Sequence, residues 1–142
     1  MLITNGLIVN RPAGINNRIN MKKILFVEDE SALQKTLGEY LRQDGYDIVS
    51  ALDGENGIKM AKSAKPDLIL LDLILPKTNG FEVLKQLKSD EETMRIPIII
   101  LTNLEDIKDI NQAIEIGATT YLVKARYSLE EVSQKIRDVL NK

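Results

Sequence analysis

Residues 68–76 read LILLDLILP, an apolar segment that is interrupted by a single acid, Asp72. A continuous apolar run of this length is typical of a strand that is covered on both faces. A lone carboxylate in such surroundings is costly unless it is paired, hydrogen-bonded or bound to a metal. The segment therefore predicts either a surface residue that interrupts a core or a strand that leads into a functional site.

Outward from this segment, short apolar runs alternate with stretches of helical spacing. The runs predict five strands, at 24–27, 46–51, 68–73, 96–101 and 120–123. Apolar residues at helical spacing predict a helix after each strand. The apolar residues that mark the five helices, in chain order, are Leu33, Leu37, Tyr40 and Leu41; Ile58, Ala61 and Ala64; Phe81, Leu84 and Leu87; Ile107, Ile110, Ala113 and Ile114; Val132, Ile136, Val139 and Leu140.

Capping signals mark the ends of several of these helices. Ser31 with Gln34, and Ser128 with Glu131, have the spacing of a capping box. Gly45 follows the first helical stretch, as a C-terminal glycine does. We therefore expect helices to begin near residues 31 and 128.

Strands that alternate with helices predict a parallel sheet with helices on both faces, and right-handed crossovers restrict its topology. The predicted fold is an α/β, doubly wound (βα)5 flavodoxin-like sandwich with strand order 2-1-3-4-5. We expect one domain at 21–142, preceded by an irregular extension at 1–20. Within that extension, residues 7–9 read LIV, and an added strand or packing on a groove is left open.

The composition excludes several kinds of chemistry. The 142 residues include no cysteine and no histidine, so thiolate and imidazole chemistry is excluded. The formal net charge is −2, which offers no basic footprint for direct nucleic-acid binding. No stretch approaches the ~18 apolar residues of a membrane span, and residues 1–20 do not resemble a signal peptide. We expect a cytoplasmic protein that contacts no membrane.

Polar residues lie at or directly after the carboxyl ends of four predicted strands: Glu28, Asp29, Asp72, Thr102 and Lys124. For the third strand this places Asp72 at the carboxyl end, with residues 73–76 continuing into the following loop. Ligands of such sheets bind beyond this edge, so we expect these side chains to meet. Three acids without histidine or cysteine favour a hard cation, Mg²⁺ or Mn²⁺. With a lysine and a hydroxyl beside them, the set suits transfer of a phosphoryl group to a carboxylate.

The chain from Lys22 to Lys142 resembles the receiver domain of two-component response regulators. The matching stretches are FVEDE (26–30), LDLILP (71–76), NG (79–80), IIILTN (98–103), GA (117–118) and TYLVK (120–124). The resemblance implies that Asp72 is the phospho-acceptor. It also implies that Asp29 binds Mg²⁺ directly, that Glu28 holds the ion mainly through water, and that the backbone carbonyl of Ile74 is a further ligand.

The same resemblance implies that Thr102 and Lys124 bind phosphoryl oxygens and that Tyr121 is a switch aromatic. It implies a phosphohistidine donor on a histidine kinase or a histidine phosphotransfer protein. Signalling would pass through a changed surface of helix four, strand five and helix five to an unknown downstream protein, with a phosphorylation-dependent dimer left open. No further domain follows in this sequence, so we expect the output in another protein or in a longer chain.

Several residues depart from the usual family pattern. Asn103 replaces a small residue after the threonine, and Ala125 replaces a proline after the lysine, where a cis peptide bond is then not expected. Ile74 and Leu104 cannot orient an attacking water. We therefore expect a phosphorylated state that lasts for minutes or longer.

Two functions of other classes remain open from the sequence. One is a phosphorylation-independent interaction module of the same fold, which Asn103 and Ala125 favour weakly. The other is an enzyme or nucleotide binder of flavodoxin-like fold. A protein with that function would need a phosphate-binding loop after the first strand, but residues 28–30 at this position are all acidic. A magnesium-dependent aspartate phosphatase would need a second acid where Ile74 stands.

Overall fold

The computed structural model describes residues 21–142, so the predicted extension at 1–20, with the LIV stretch, lies outside the described residues. The five strands are β1 (Lys23–Val27), β2 (Asp47–Ala51), β3 (Leu68–Leu71), β4 (Ile98–Thr102) and β5 (Thr120–Val123). The five α-helices are α1 (Ser31–Gln43), α2 (Gly54–Ala64), α3 (Gly80–Ser89), α4 (Ile107–Ile116) and α5 (Leu129–Leu140). A short 3₁₀ turn, Lys124–Arg126, follows β5.

All strand pairs are parallel and the strand order is β2-β1-β3-β4-β5, which confirms the predicted topology. Two apolar clusters cover the two faces of the sheet. One packs α2, α3 and α4 against it through residues such as Ala61, Leu84 and Ala113. The other packs α1 and α5 through residues such as Leu37 and Ile136. The central strands are buried on both faces, as their unbroken apolar sequence predicts.

The bounds of β3 and β4 differ from the prediction, whereas β1 and β2 differ only by one residue at their starts. β3 ends at Leu71 rather than at 73, so Asp72 is the first residue beyond the strand. β4 begins at Ile98 rather than at 96 because Pro97 has no N–H to donate; its carbonyl accepts from the Ile69 N–H at 3.0 Å. The later end of β4 makes Thr102 its last residue.

The predicted capping box at the first helix is wrong. Ser31 is already helical, and Glu30 occupies the N-cap position without a side-chain cap. The Gln34 side chain is buried and donates to the backbone carbonyls of Phe26, Glu28 and Ala51 at 2.9, 3.1 and 3.1 Å. Gln34 therefore ties α1 to the carboxyl ends of β1 and β2.

The other capping predictions are confirmed. Ser128 and Glu131 form the complete capping box of α5, and Gly45 follows α1 with a φ of +100°. Asp53, Asn79 and Asp106 cap the starts of α2, α3 and α4 with their side chains. Since these helices start where the strands end, the caps keep the loops at the carboxyl edge of the sheet in place.

Helix α4 is covered less completely than its apolar sequence suggests. Ala113 is fully buried, but the side chains of Ile107 and Ile114 are 67% and 47% exposed. An apolar stripe on α4 therefore faces solvent in the described part of the chain. Within residues 21–142, none of the helices combines the length and the hydropathy that crossing a membrane requires.

Candidate functional site

The carboxyl edge of the sheet brings the predicted site residues to one place. Glu28 follows β1, Asp72 follows β3, Thr102 ends β4 and Lys124 follows β5. A cavity of about 390 Å³ opens at this edge, and Asp29 and Lys124 are among its lining residues. The parallel order of the strands accounts for this, because their carboxyl ends share one edge.

Lys124 is the centre of the charge network. Its Nζ lies 2.8 Å from Glu28 Oε1, 3.0 Å from Asp72 Oδ2 and 3.7 Å from Glu30 Oε1. Burial acts to lower the pKa of Lys124, but its hydrogen bonds to Glu28 and Asp72 outweigh this and raise the pKa above the ordinary lysine value. The lysine is therefore a fixed positive charge between two buried carboxylates.

The acidic cluster consists of Glu28, Asp29 and Asp72, each of which offers a carboxylate oxygen within 4.8 Å of the others. Glu28 is fully buried, and this burial raises its pKa to about 6. One lysine does not balance three neighbouring acids, and all the donors are oxygens. The cluster therefore fits a hard divalent cation such as Mg²⁺.

Asp72 is held in one orientation by backbone and side-chain contacts. Its own N–H donates to the Val27 carbonyl at 3.0 Å, which extends the β1–β3 pairing by one step. Its Oδ1 accepts from the Ile74 N–H at 3.1 Å, and its Oδ2 accepts from Lys124. These contacts aim the carboxylate at the cavity although the residue is only 3% exposed.

Thr102 and Tyr121 lie on the β4–β5 side of the site. Thr102 is fully buried, and its Oγ1 has no hydrogen-bond partner among the residues that the structure describes. The Tyr121 ring is partly buried, and its hydroxyl donates to the Leu104 carbonyl at 2.8 Å. Burial, with smaller effects of Asp109 and Asp72, raises the pKa of Tyr121 to about 12.

Sequence reasoning missed two contributors to this site. Glu30, the third acid of residues 28–30, reaches Lys124, and only the run of acids pointed to it. Leu104 receives the Tyr121 hydroxyl through its backbone, so no side-chain pattern could reveal it.

A parallel sheet of this order, with an acidic cluster and a lysine at its carboxyl edge, defines the receiver class of signalling proteins. The family model described as the response regulator receiver domain matches residues 24–137. The chain belongs to this family, as its resemblance indicated.

Two curated relatives illustrate the sequence similarity. The chain is 39% identical over 122 residues to the DNA-binding dual master transcriptional regulator RpaA of Synechocystis sp., covering 86% of this chain and 50% of the relative. It is 40% identical over 121 residues to the alkaline phosphatase synthesis transcriptional regulatory protein PhoP of Bacillus subtilis, covering 85% and 49%. The chain thus spans about half the length of these relatives.

Two solved structures illustrate the structural similarity. The BeF3-activated N-terminal receiver domain of Klebsiella pneumoniae RstA matches with a TM-score of 0.78 and 28% identity, over 84% of this chain and 99% of that one. The receiver domain of a sensor histidine kinase of Pseudomonas aeruginosa, with a magnesium ion coordinated in its active site cleft, matches with a TM-score of 0.78 and 27% identity, over 86% and 99%. Receiver domains bind Mg²⁺ in the active site, and the present chain carries an acidic cluster at the carboxyl edge of its sheet.

Proposed function

We propose that Asp72 accepts a phosphoryl group from a phosphohistidine on a histidine kinase or a histidine phosphotransfer protein. The observation that carries the proposal is the position of Lys124, whose Nζ bridges Glu28 and Asp72 inside the acidic cluster. The chain is a receiver domain of the two-component response regulators, and this site would make it a phosphorylation-controlled switch.

In the proposed step a carboxylate oxygen of Asp72 attacks the phosphorus atom. The new P–O bond forms as the P–N bond to the donor imidazole breaks, and the electron pair of that bond returns to the imidazole nitrogen. Lys124 Nζ and Thr102 Oγ1 donate to the oxygens of the transferring group. The buried Thr102 hydroxyl supports this role, because it has no other partner among the described residues.

The metal would be held by Glu28, Asp29 and Asp72, with the backbone carbonyl of Ile74 as a further ligand. When bound there, Mg²⁺ or Mn²⁺ neutralises charge on the oxygens of the phosphoryl group. The Ile74 N–H already donates to Asp72 Oδ1. This contact keeps the loop after β3, which carries the Ile74 carbonyl, close to the Asp72 carboxylate.

The proposed output is a changed surface of α4, β5 and α5. A phosphorylated Asp72 carries about two negative charges, which would draw the Thr102 hydroxyl toward it and shift Tyr121. The partly buried ring of Tyr121 and its bond to Leu104 join this movement to the loop before α4. The exposed side chains of Ile107 and Ile114 on α4 offer an apolar surface for a second copy or for a downstream protein.

We propose that this domain contacts proteins rather than nucleic acid or membranes. Acidic residues surround the site, and the formal net charge is −2. The relatives named as transcriptional regulators are about twice as long as the matched region. Any DNA binding by a longer form of this protein would therefore be expected outside residues 21–142.

The proposal is tested by intact-mass spectrometry after incubation with acetyl phosphate and Mg²⁺. The expected result is the gain of one phosphoryl group, which is lost when EDTA replaces the metal and in Asp72→Asn. Asp138→Asn, at an exposed acid on α5, is the matched control and should be phosphorylated normally. Folded wild-type protein that gains no phosphoryl group would contradict the proposal and favour a phosphorylation-independent interaction module.

A further inference from the structure

Asn103 is a polar residue at the site that the proposed chemistry has not used. It directly follows Thr102 and lines the same cavity as Asp72 and Lys124. Its side chain is exposed to that cavity, and within residues 21–142 it has no hydrogen-bond partner. Two of the neighbouring donors are already engaged, Lys124 with two carboxylates and the Tyr121 hydroxyl with a carbonyl, whereas the Thr102 hydroxyl is buried beneath the cavity without a partner among the described residues.

The strand register shows where Asn103 lies along the strand direction relative to Asp72. Leu71 of β3 pairs with Ile100 of β4, so Asp72 is level with Leu101. Asn103 is two residues further along and directly follows the end of β4, so it lies beyond the level of Asp72 at the carboxyl edge of the sheet. Because Asp72 and Asn103 line the same cavity, the Asn103 side chain is placed to reach a group attached to the Asp72 carboxylate.

Of the described residues that line the cavity, only Lys124 and Asn103 carry a side-chain hydrogen-bond donor. A phosphoryl group brings three acceptor oxygens and about two negative charges. Glu28, Asp29 and Glu30 can only accept hydrogen bonds when ionised, and Lys124 is shared among carboxylates. A carboxamide contributes two N–H donors and no charge. Asn103 thus adds an uncharged donor to those of Lys124 and Thr102, so that each of the three phosphoryl oxygens could have one.

We propose that Asn103 is a phosphoryl-binding residue whose side-chain N–H donates to an oxygen of the phosphoryl group on Asp72. This inference rests on the proposed function of Asp72. The hydrogen bond slows hydrolysis, in which a water oxygen attacks phosphorus while the P–O bond to Asp72 breaks. The electron pair of that bond returns to the carboxylate, and inorganic phosphate leaves. The bond slows this reaction by holding the group in its bound geometry.

The test compares wild type with Asn103→Ala and Asn103→Leu. The leucine keeps a side chain of similar size but cannot donate, so it separates hydrogen bonding from simple coverage of the group. Each protein is phosphorylated with acetyl phosphate and Mg²⁺ and freed of the donor. The loss of the phosphoryl group is then followed by intact mass. Calorimetric titration with beryllofluoride, a stable phosphoryl analogue, measures binding without hydrolysis.

We expect a half-life of minutes or longer in wild type and a half-life about tenfold shorter in both variants, with beryllofluoride binding weakened by about the same factor. Asn111→Ala, at an exposed asparagine of α4, should behave as wild type. Thermal unfolding checks that all variants fold. An unchanged half-life in Asn103→Ala, a longer one, or wild-type behaviour of Asn103→Leu would each overturn the inference while leaving Asp72 as the acceptor. Wild-type protein that binds neither phosphoryl group nor beryllofluoride would overturn both proposals.

Discussion

Lys124 keeps buried carboxylates together that would otherwise repel one another. Its side chain is only 14% exposed, and Glu28 beside it is fully buried. Removing one partner of a buried charge pair leaves the other uncompensated, which costs more than the pair contributes. The same lysine is the proposed contact of the transferring phosphoryl group. Stability and chemistry thus depend on one side chain, so substitutions of Lys124 cannot separate them.

Tyr121 offers a cleaner test of a single contact. In Tyr121→Phe the Leu104 carbonyl loses its 2.8 Å hydrogen bond while the ring remains. We expect the free energy of unfolding to fall by about 1 kcal/mol, a typical net value for such a bond. Urea unfolding measures the change.

The matched control is Tyr40→Phe, at a partly buried tyrosine of α1. Within the described residues the Tyr40 hydroxyl has no hydrogen-bond partner. The free energy of unfolding of Tyr40→Phe should therefore stay near that of wild type. Equal losses in the two variants would show that the Leu104 contact does not stabilise the β4–α4 loop.

The packing of helices on the sheet depends on small residues at particular positions. A Cβ on Gly80, the first residue of α3, would lie 2.3 Å from the backbone Cα of Leu73. Gly38, inside α1, is buried too, but a Cβ there would meet only the end of the Arg42 side chain at 3.6 Å. Gly80 therefore has no space for a side chain, whereas Gly38 has space for a Cβ.

Alanine substitution should therefore act in opposite directions at these glycines. Gly80→Ala forces the Leu73 backbone to move, and we expect it to destabilise the domain by about 1–3 kcal/mol. Gly38→Ala should stabilise it by about 0.5–1 kcal/mol, because alanine is the better helix former. Urea unfolding of both variants is the measurement, and a stable Gly80→Ala would contradict the close approach of α3 to the loop after β3.

The capping box of α5 predicts a pH dependence. Hydrogen bonding to the Ser128 N–H holds the pKa of Glu131 below its usual value. Folding lowers the pKa of this carboxyl group from its unfolded value of 4.5. The ionised group therefore stabilises the folded state above pH 4.5, and this stabilisation is lost as the pH falls through the pKa of the folded state.

The stability difference between wild type and Glu131→Ala should consequently be largest near pH 7 and shrink below pH 4.5. Chemical unfolding at several pH values measures it. Glu130→Ala, the neighbouring acid in the first turn of α5, is the control and should show a smaller difference. A difference for Glu131→Ala that grows on acidification would be inconsistent with the capping box.

At the scale of the whole molecule, α4 carries the exposed apolar side chains of Ile107 and Ile114. We expect beryllofluoride with Mg²⁺ to convert the wild-type protein to a dimer through this face, as seen by sedimentation velocity. Ile107→Glu should remain monomeric because a carboxylate would be buried in the interface. Its phosphorylation should stay normal, since Ile107 is not among the residues that line the cavity.

Leu52→Glu is the matched control for that experiment. Leu52 is 57% exposed and lies between β2 and α2, on the far side of the sheet order from α4. The Leu52→Glu variant should dimerise as the wild-type protein does. A monomeric wild type, or dimers in both variants, would direct the search for the output surface to a downstream protein or to another face.

The amino-acid sequence by itself determined the order of strands and helices and the position of the polar residues at the strand ends. Both are local properties: the unbroken apolar run before Asp72 specifies a buried strand, and parallel strands bring their carboxyl ends to one edge. The α5 capping box was also predictable, since Ser128 and Glu131 are three residues apart.

Tertiary structure decided the contacts between residues that are distant in sequence. Gln34 does not cap its helix because carbonyls of β1 and β2 lie within its reach. Lys124 pairs with Glu28 as well as Asp72 because β1 and β3 are neighbours in the sheet. The exposure of Ile107 likewise follows from how α4 sits on the sheet. Such pairings depend on which surfaces meet after folding, and local periodicity does not contain that information.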